Sequence, residues 1–412
     1  MSSDVERINA RVSGIRLSPT IAMSGRAATR IAEGRPVISL SLGELDFDTP
    51  KPIIDAAYQA ALAGATRYTA PDGRLALKRA VQTKFLRDNG LSFEINEIHA
   101  ASGCKQVIYN ALAATLEPGD EVIVFAPYWV SYTDIVAFCG GTPVVLQTSA
   151  ADGFLPNPDQ LAKALTSRTR WVLLNSPNNP TGAVYDGALL KRLAATIASH
   201  PQAMVLSDEI YEHLVYDGAK HVSLLQAAPE LRTRALTVNG VSKAYAMTGW
   251  RIGYAGGPQW LISAMAKVQS QTAGNSCTIS QAAAEAALLG DQTTIDVWRD
   301  TLEKRRAAML SELGRTDRIA TSSPPGAFYV FADVSRCIGL ATPGGLVLRN
   351  DLDLAEYLLD HADVAAVAGE AFGSSPFIRL SFAADHDEVV EAARRIVSAI
   401  DALAAVDAGT AR

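Results

Sequence analysis

Six short apolar runs in the middle of the chain constrain the fold more than any other feature of the sequence. They lie at residues 120–127, 142–148, 170–177, 203–209, 235–243 and 251–257. Helical spacing of apolar residues marks segments between them, such as 187–200. Nearly continuous apolar character is typical of strands covered on both faces, and strands that alternate with helices build a mostly parallel sheet. The sequence therefore predicts an α/β fold.

The last quarter of the chain has a different pattern. Two strand-like runs, "GAFYVFADV" and "PFIRLSFA", come before the amphipathic segment 386–406. We therefore predict three regions. These are an N-terminal segment 1–45 that packs with the small domain, a large domain 46–304, and a small C-terminal α+β domain 305–412.

Composition excludes several classes of partner and site. The chain has 412 residues, of which 48% are hydrophobic and 19% charged, so it can bury a large core. The net charge of −6 is spread without long runs, and neither a nucleic acid nor a membrane is expected as a partner. The four cysteines show no CxxC spacing, so no metal site is expected. The sequence contains no evident signal peptide or spanning segment, which predicts a cytoplasmic protein.

Polar or aromatic residues follow four of the predicted strands. They are Trp129, Asn179 in the turn "SPNNPTG", Asp208 and Lys243. Ligands of open α/β sheets bind at the carboxyl ends of the strands, so these side chains are expected to meet. Taken singly, each could be a core residue, a turn residue, a helix cap or a solvated lysine. Together they would hold a flat, anionic, nitrogen-containing ring and offer it an amine.

Pyridoxal phosphate is a ring of this kind. Its chemistry needs a lysine that bonds to its aldehyde and an acidic partner for its pyridine nitrogen. Arg251 follows Lys243 closely; it would lower the pKa of the amine and could bind the phosphate through its forked guanidinium. The segment "ASGCKQVIYNALAATL", residues 101–116, predicts a helix whose N-terminus faces an anion.

Six motifs resemble those of a known family. They are "GELDFDTP" (43–50), "PYWVSY" (127–132), "NSPNNPTGAVY" (175–185), "SDEIYEHL" (207–214), "SKAYAMTGWRIGYA" (242–255) and "FIRLSFA" (377–383). The chain resembles the fold-type I, class I pyridoxal-phosphate-dependent aminotransferases. It looks most like the bacterial aspartate aminotransferases of the subgroup shared with prephenate aminotransferases. The resemblance runs from residue 18 to residue 400, and it implies a mostly parallel seven-stranded central sheet with a smaller α+β domain.

The resemblance also implies roles for individual residues. Lys243 would be the catalytic residue, bonded to pyridoxal phosphate and moving a proton during turnover. Cofactor contacts would come from Gly103, Cys104, Lys105, Trp129, Asn179, Asp208, Tyr211, Ser242, Arg251 and, across the interface of a homodimer, Tyr68. Substrate contacts would come from Arg379 at the α-carboxylate, Lys105 at the distal carboxylate, and Gly43, Trp129, Asn179 and Thr20.

Four departures from the family pattern leave the substrate open. Leu45 replaces a usual proline, Cys104 a usual glycine, and residues 73–78 and 271–281 also differ. The first hypothesis is a ping-pong transaminase for aspartate or glutamate with 2-oxoglutarate or oxaloacetate. The second accepts prephenate or another specialised 2-oxo acid. The third, a pyridoxal-phosphate C–S or β-lyase, is weakened because Lys105 would face a second carboxylate.

Overall fold

The computed structural model describes residues 8–15 and 17–406. Its strands are β1 Ile38–Ser39, β2 Ile98–Ala101, β3 Glu121–Ala126, β4 Thr142–Gln147, β5 Thr169–Asn175, β6 Met204–Asp208, β7 Ala235–Gly240, β8 Gly253–Gly256, β9 Tyr329–Asp333, β10 Val364–Ala365, β11 Val367–Ala368 and β12 Phe377–Ser381. Its α-helices are α1 Ala10–Ser13, α2 Pro19–Ala32, α3 Lys51–Leu62, α4 Leu75–Asn89, α5 Cys104–Thr115, α6 Ser131–Phe138, α7 Pro158–Ala164, α8 Gly187–Ala198, α9 Leu224–Ala227, α10 Gln259–Thr272, α11 Thr278–Leu289, α12 Thr293–Leu313, α13 Asp351–His361 and α14 His386–Asp401.

The central sheet has seven strands in the order β2-β8-β7-β6-β5-β3-β4. Strands β3 to β7 pair in parallel, whereas β8 runs antiparallel to both β2 and β7. This arrangement confirms the predicted fold class, and all six apolar runs of the sequence are strands of this sheet. The parallel strands bring their carboxyl ends to one edge, which is where a ligand site is expected.

Both faces of the sheet are covered, and this explains the unbroken apolar runs. Side chains alternate along a strand, so Val122 and Val124 of β3 pack with the buried residues of α5 and α10. Ile123 and Phe125 face the other way and pack with the buried residues of α4 and α8. A strand that is buried on both sides has no polar face to display.

A smaller antiparallel sheet, in the order β11-β12-β9, carries the C-terminal strands. Beside it, β1 pairs in parallel with β10, and Met23 of α2 packs against Leu359 of α13. Helix α12 crosses residue 305 without a break, and its Leu302 and Leu313 belong to one apolar cluster. The division into domains at that residue stays a prediction. Residues 1–7, 16 and 407–412 of the predicted terminal regions lie outside the described residues.

A helix that spans a bilayer needs about 20 consecutive, mostly apolar residues, and the helices of the described part can be measured against that length. None of them combines the length and the apolar character that crossing a membrane requires.

Candidate active site

A cavity of about 210 Å³ opens at the carboxyl ends of the parallel strands. Most of the residues that the sequence singled out line it: Thr20, Gly43, Cys104, Lys105, Trp129, Asn179, Asp208, Tyr211, Ser242, Lys243, Arg251 and Arg379. The lining also includes residues that the sequence reasoning did not select: Leu42, Tyr132, Asn175, Ile210, Thr248 and Tyr329. Of the remaining candidates, Gly103 lies outside the lining but next to the guanidinium of Arg251, and Tyr68 lies outside the lining.

Lys243 follows β7 and brings its amine into the cavity. Its Nζ donates a hydrogen bond of 2.6 Å to the carbonyl oxygen of Gly43. Burial, together with smaller effects of the cations Arg251 and Arg379, lowers the pKa of the Lys243 amine to about 8 against the opposing effect of Glu44. At neutral pH about a tenth of the amines are therefore unprotonated, which makes this lysine a usable nucleophile.

Asp208 is the last residue of β6, and only 4% of it is exposed. One carboxylate oxygen, Oδ2, accepts a hydrogen bond of 2.7 Å from the hydroxyl of Tyr132. Burial raises the pKa of Asp208 to about 6, and the hydrogen bond from Tyr132 works in the opposite direction. The carboxylate is thus charged at neutral pH, although its burial disfavours the charged form. A cationic ligand beside it would stabilise the charge.

The turn "SPNNPTG" is fixed by one buried amide. Asn175 donates 2.9 Å from Nδ2 to the backbone oxygen of Asp208 and accepts 2.9 Å at Oδ1 from the backbone N–H of Asn179. The Asn179 amide oxygen in turn accepts a hydrogen bond of 3.0 Å from Nη1 of Arg379. Strand β12 and the turn after β5 therefore meet inside the cavity.

Arg379 is 2% exposed and stands between two aromatic rings. Its guanidinium carbon lies 4.4 Å from the ring centroid of Tyr329 and 5.0 Å from that of Phe372. Nη2 donates to the backbone oxygen of Ser41, whereas Nε has no hydrogen-bond partner among the described residues. Burial lowers the pKa of Arg379. A buried guanidinium with an unused donor suits a carboxylate, which it can bind through two hydrogen bonds.

The corner formed by Gly103 and Arg251 suits a second anion. Gly103 caps α5 with a φ of 88°, a conformation that favours glycine. A Cβ at this position would lie 2.5 Å from Nη2 of Arg251. The bare backbone therefore lets the guanidinium approach the first turn of α5, where free N–H groups favour negative charge.

Cys104 is the first residue of α5 and departs from the family pattern. Its thiol donates a hydrogen bond of 3.1 Å to the backbone oxygen of Asn239, at the end of β7. Burial raises the pKa of this thiol, so it is neutral. The side chain is directed towards β7.

Lys105 and Trp129 face each other across the cavity. The ammonium of Lys105 lies 5.1 Å from the centroid of the Trp129 ring, within the range of a cation–π contact. Burial lowers the pKa of Lys105, as does the nearby Arg251, whereas Asp134 raises it. Trp129 itself packs edge-on against Tyr132, with ring centroids 5.3 Å apart.

Two tyrosines of the lining were missed by the sequence reasoning. Tyr132 stands three residues after Trp129 and ends the motif "PYWVSY", so this motif could have indicated it. Tyr329 comes from β9 of the small sheet, and its hydroxyl lies 2.8 Å from that of Tyr211. No local pattern links these two residues, which are 118 positions apart in the chain.

These features define an enzyme site in which an amine at the edge of an α/β sheet works beside a buried carboxylate and a buried guanidinium. Residues 35–396 match the family described as aminotransferase class I and II. The match covers most of the chain, so the protein belongs to the class I and II aminotransferases, and the predicted transaminase class is confirmed.

Two relatives and two solved structures agree with this family assignment. The chain is 48% identical over 393 residues to an aspartate aminotransferase of Rhizobium meliloti, covering 95% of this chain and 96% of that protein. It is 48% identical over 382 residues to an aspartate/prephenate aminotransferase of Cereibacter sphaeroides, covering 93% and 96%. A crystal structure of the Rhizobium meliloti aspartate aminotransferase has a TM-score of 0.93 at 47% identity, covering 97% and 100%. The Thermus thermophilus aspartate aminotransferase with maleate has a TM-score of 0.89 at 40% identity, covering 95% and 99%.

Proposed function

We propose that this aminotransferase uses pyridoxal phosphate to move an amino group between a dicarboxylic amino acid, aspartate or glutamate, and a 2-oxo acid, 2-oxoglutarate or oxaloacetate, in a ping-pong cycle. The observation that carries the proposal is the amine of Lys243, whose pKa of about 8 results from burial beside two arginines. An amine of this kind both attacks an aldehyde and accepts a proton near neutral pH.

The residues present fit the cofactor. Pyridoxal phosphate, when bound, supplies an aldehyde for the lysine and a ring that withdraws electrons from the substrate Cα. Asp208 is a buried anion suited to a ring-nitrogen cation, and the Gly103–Arg251 corner is suited to a phosphate. Trp129 offers an aromatic face, Ser242 adjoins Lys243, and Asn179 and Tyr211 offer hydrogen-bonding groups on the cavity wall.

The two cationic ends of the cavity support a dicarboxylic substrate. Arg379 has an unused donor for the α-carboxylate, and the carbonyl of Gly43 lies beside the amine that reacts. Lys105, from the first turn of α5, would bind the second carboxylate. Maleate is itself a dicarboxylate, and a solved aspartate aminotransferase of this fold is described as holding it.

A second candidate substrate is prephenate, another oxo acid with two carboxylates. Thr20, which α2 brings to the cavity, occupies a position linked to prephenate in relatives. A protein that is 48% identical to this chain has the name aspartate/prephenate aminotransferase. Both substrates place the same demand on Arg379 and Lys105, so one protein could use both.

We also propose a homodimer in the cytoplasm. Tyr68 is 95% exposed, and a loop that leaves a large aromatic side chain in solvent is suited to an interface. Helix α3 adds the exposed apolar residues Ile54, Tyr58 and Leu62 to the same part of the chain. In such a dimer Tyr68 would reach the cofactor phosphate of the other subunit.

A half-reaction screen tests the proposed substrates. The cofactor-loaded protein is mixed with each common amino acid and with arogenate, and the absorbance change to the pyridoxamine form is followed. We expect aspartate and glutamate to convert it fastest, and arogenate to convert it if prephenate is a substrate. Borohydride treatment and peptide mapping should label Lys243; a label elsewhere would disprove its assigned role.

A further inference from the structure

The loop that carries Tyr68 is held more firmly than its lack of regular structure suggests. This Tyr68 loop, residues 67–73, runs between α3 and α4 and contains neither helix nor strand. Loops of this kind are usually mobile. Here, side chains from α4, α10 and α11 reach the loop and bond to its backbone or its polar groups.

Gln281 on α11 makes the first set of contacts, and its residue is 0% exposed. Its amide oxygen accepts a hydrogen bond of 2.8 Å from the backbone N–H of Arg74. Its amide nitrogen donates 3.1 Å to the hydroxyl of Thr69 and 2.9 Å to the backbone oxygen of Ser276. The chain that follows Tyr68 is therefore tied at two points, Thr69 and Arg74, to one buried amide.

Gln269 on α10 makes the second set and is also 0% exposed. Its amide nitrogen donates to the backbone oxygen of Pro71 and, at 3.0 Å, to that of Ala100 in β2. Its amide oxygen accepts 2.7 Å from Asn110 and lies 3.1 Å from Nε2 of His99. Every hydrogen-bonding position of this amide is thus used.

Three further contacts complete the attachment. The ammonium of Lys78 pairs with the carboxylate of Asp72. Thr278 at the start of α11 donates 2.7 Å to the backbone oxygen of Arg67. Gly73, with a φ of 103°, lets the loop pass β2, because a Cβ there would lie 2.9 Å from that of Ala100.

We infer that Gln281 and Gln269 are positioning residues that fix the Tyr68 loop so that Tyr68 enters the active site of the other subunit in the right orientation. The inference rests on the proposed function, in which Tyr68 binds the cofactor phosphate across the dimer. A buried amide is costly unless it is paired, and both glutamines direct theirs at this loop. A loop ordered during folding leaves less conformational entropy to be lost when the cofactor binds.

The first test compares cofactor affinity in dimeric variants. Tyr68→Phe removes the hydroxyl and should weaken pyridoxal phosphate binding about tenfold. Gln281→Leu should weaken it to a similar degree, while Gln271→Leu, an exposed control on α10, should leave it within about twofold. In the double variant Tyr68→Phe with Gln281→Leu, the loss should equal that of Tyr68→Phe alone. Independent, multiplying losses would overturn the inference.

The second test uses mixed dimers, purified through two different tags. One chain carries Gln281→Leu and the other Lys243→Ala, so the only complete lysine site is on the first chain. That site would be served by a Tyr68 whose own Gln281 is intact. We expect its cofactor affinity, read from the absorbance of the lysine-bound cofactor, to return to that of a control dimer whose first chain is unaltered. A site that stays weak would show that Gln281 acts within its own subunit.

The outcomes separate this inference from the proposed function. If Tyr68→Phe leaves cofactor affinity unchanged, the role of Tyr68 in the proposed dimer is wrong, and the inference fails with it. If Tyr68→Phe weakens binding and Gln281→Leu does not, only the inference fails. Should Gln281→Leu not fold, Thr278→Val, which removes an exposed contact of the same loop, and Thr69→Val, which removes a part-buried one, take its place in both tests.

Discussion

The hydroxyl of Tyr132 donates a hydrogen bond of 2.7 Å to Oδ2 of Asp208, the buried carboxylate at the end of β6. This donor stabilises the charged form of Asp208 and lowers its pKa against the effect of burial. The structure therefore contains, from its own residues, a support for the anion that the proposed cofactor needs. Helix α6 supplies the support and follows directly after Trp129, so one segment provides both the aromatic face and the donor.

Tyr132→Phe should raise the pKa of Asp208 above about 6, because burial then acts without the opposing hydrogen bond. A hydrogen bond to a charged group is worth about 1.5–3 kcal/mol, so the affinity for pyridoxal phosphate at pH 7 should fall roughly ten- to hundredfold. The measurement is a titration of cofactor binding between pH 5 and 8. Tyr109→Phe, on α5 and outside the cavity lining, is the control. If cofactor affinity falls off at the same acidic pH in Tyr132→Phe as in the wild type, this account is wrong.

Asp208→Asn should stabilise the protein freed of cofactor. Asp208 has its usual pKa of 3.8 when unfolded and about 6 when folded, so the folded state binds the proton more tightly. The free energy of unfolding therefore falls as pH rises between these values, by about 3 kcal/mol in total. Asparagine avoids this penalty, so the variant should be more stable than wild type at pH 7.5.

Urea unfolding at several pH values measures this difference. The gain should shrink as the pH falls through 6 and vanish by about pH 3, below the unfolded pKa of 3.8, where the aspartate is protonated in both states. Asp55→Asn, at an exposed position on α3, is the control measured at the same pH values. A gain that is the same at pH 4 and pH 7.5 would rule out the titration of Asp208 as its cause.

The predictable part of this fold is the part that local pattern determines. Strands buried on both faces read as apolar runs, and the sheet was therefore foreseen. Strand β2 was not predicted from the apolar pattern, because its four residues, IHAA, include a histidine and two alanines. Its position is determined by antiparallel pairing with β8, which lies more than 150 residues further along the chain.

The site divides in the same way. Asp208, Asn179 and Lys243 were predicted because strand ends meet wherever parallel strands pair. Tyr329 could not be predicted in this way, because it reaches Tyr211 only once β9 of the small sheet has packed beside the residues that follow β6. The contacts of Gln269 and Gln281 were hidden for a similar reason, since an amide in a helix does not indicate which loop it will meet.

Lys243 should bond to the cofactor with a pH dependence set by its own amine. Because burial lowers the pKa of Lys243 to about 8, the rate at which added pyridoxal phosphate develops the absorbance of the lysine-bound form should rise about tenfold per pH unit below pH 8 and level off above it. Lys243→Ala should bind the cofactor, seen as quenching of Trp129 fluorescence, yet show neither this absorbance nor turnover. Normal turnover in Lys243→Ala would disprove the catalytic role proposed for Lys243.

Lys105→Ala should discriminate between substrates. If Lys105 binds the distal carboxylate, kcat/KM for aspartate should fall roughly ten- to hundredfold, the loss expected for one charge-assisted hydrogen bond. Alanine as amino donor lacks that carboxylate and should lose less than about threefold. Lys163→Ala, an exposed position on α7, serves as the control. Equal losses for the two donors would show that Lys105 does not bind the distal carboxylate. Its remaining predicted role would then be a contact with the cofactor phosphate.

Gly103→Ala should damage the anion corner beyond the ordinary cost of its backbone conformation. Gly153 is the control, because its φ of 65° is also positive but a Cβ there would meet nothing within 4 Å. The left-handed backbone of Gly153 should cost its alanine variant about 1 kcal/mol of stability, whereas Gly103, with a φ of 88° and a ψ of 161°, lies in a region that is almost confined to glycine and should cost about 1–3 kcal/mol. Only Gly103→Ala should also displace Arg251, whose Nη2 lies 2.5 Å from the added Cβ. Affinity for pyridoxal phosphate, and for inorganic phosphate as its competitor, should therefore fall at least about tenfold in Gly103→Ala and stay unchanged in Gly153→Ala. If the two variants bind phosphate equally well, the contact between α5 and Arg251 does not form the anion site.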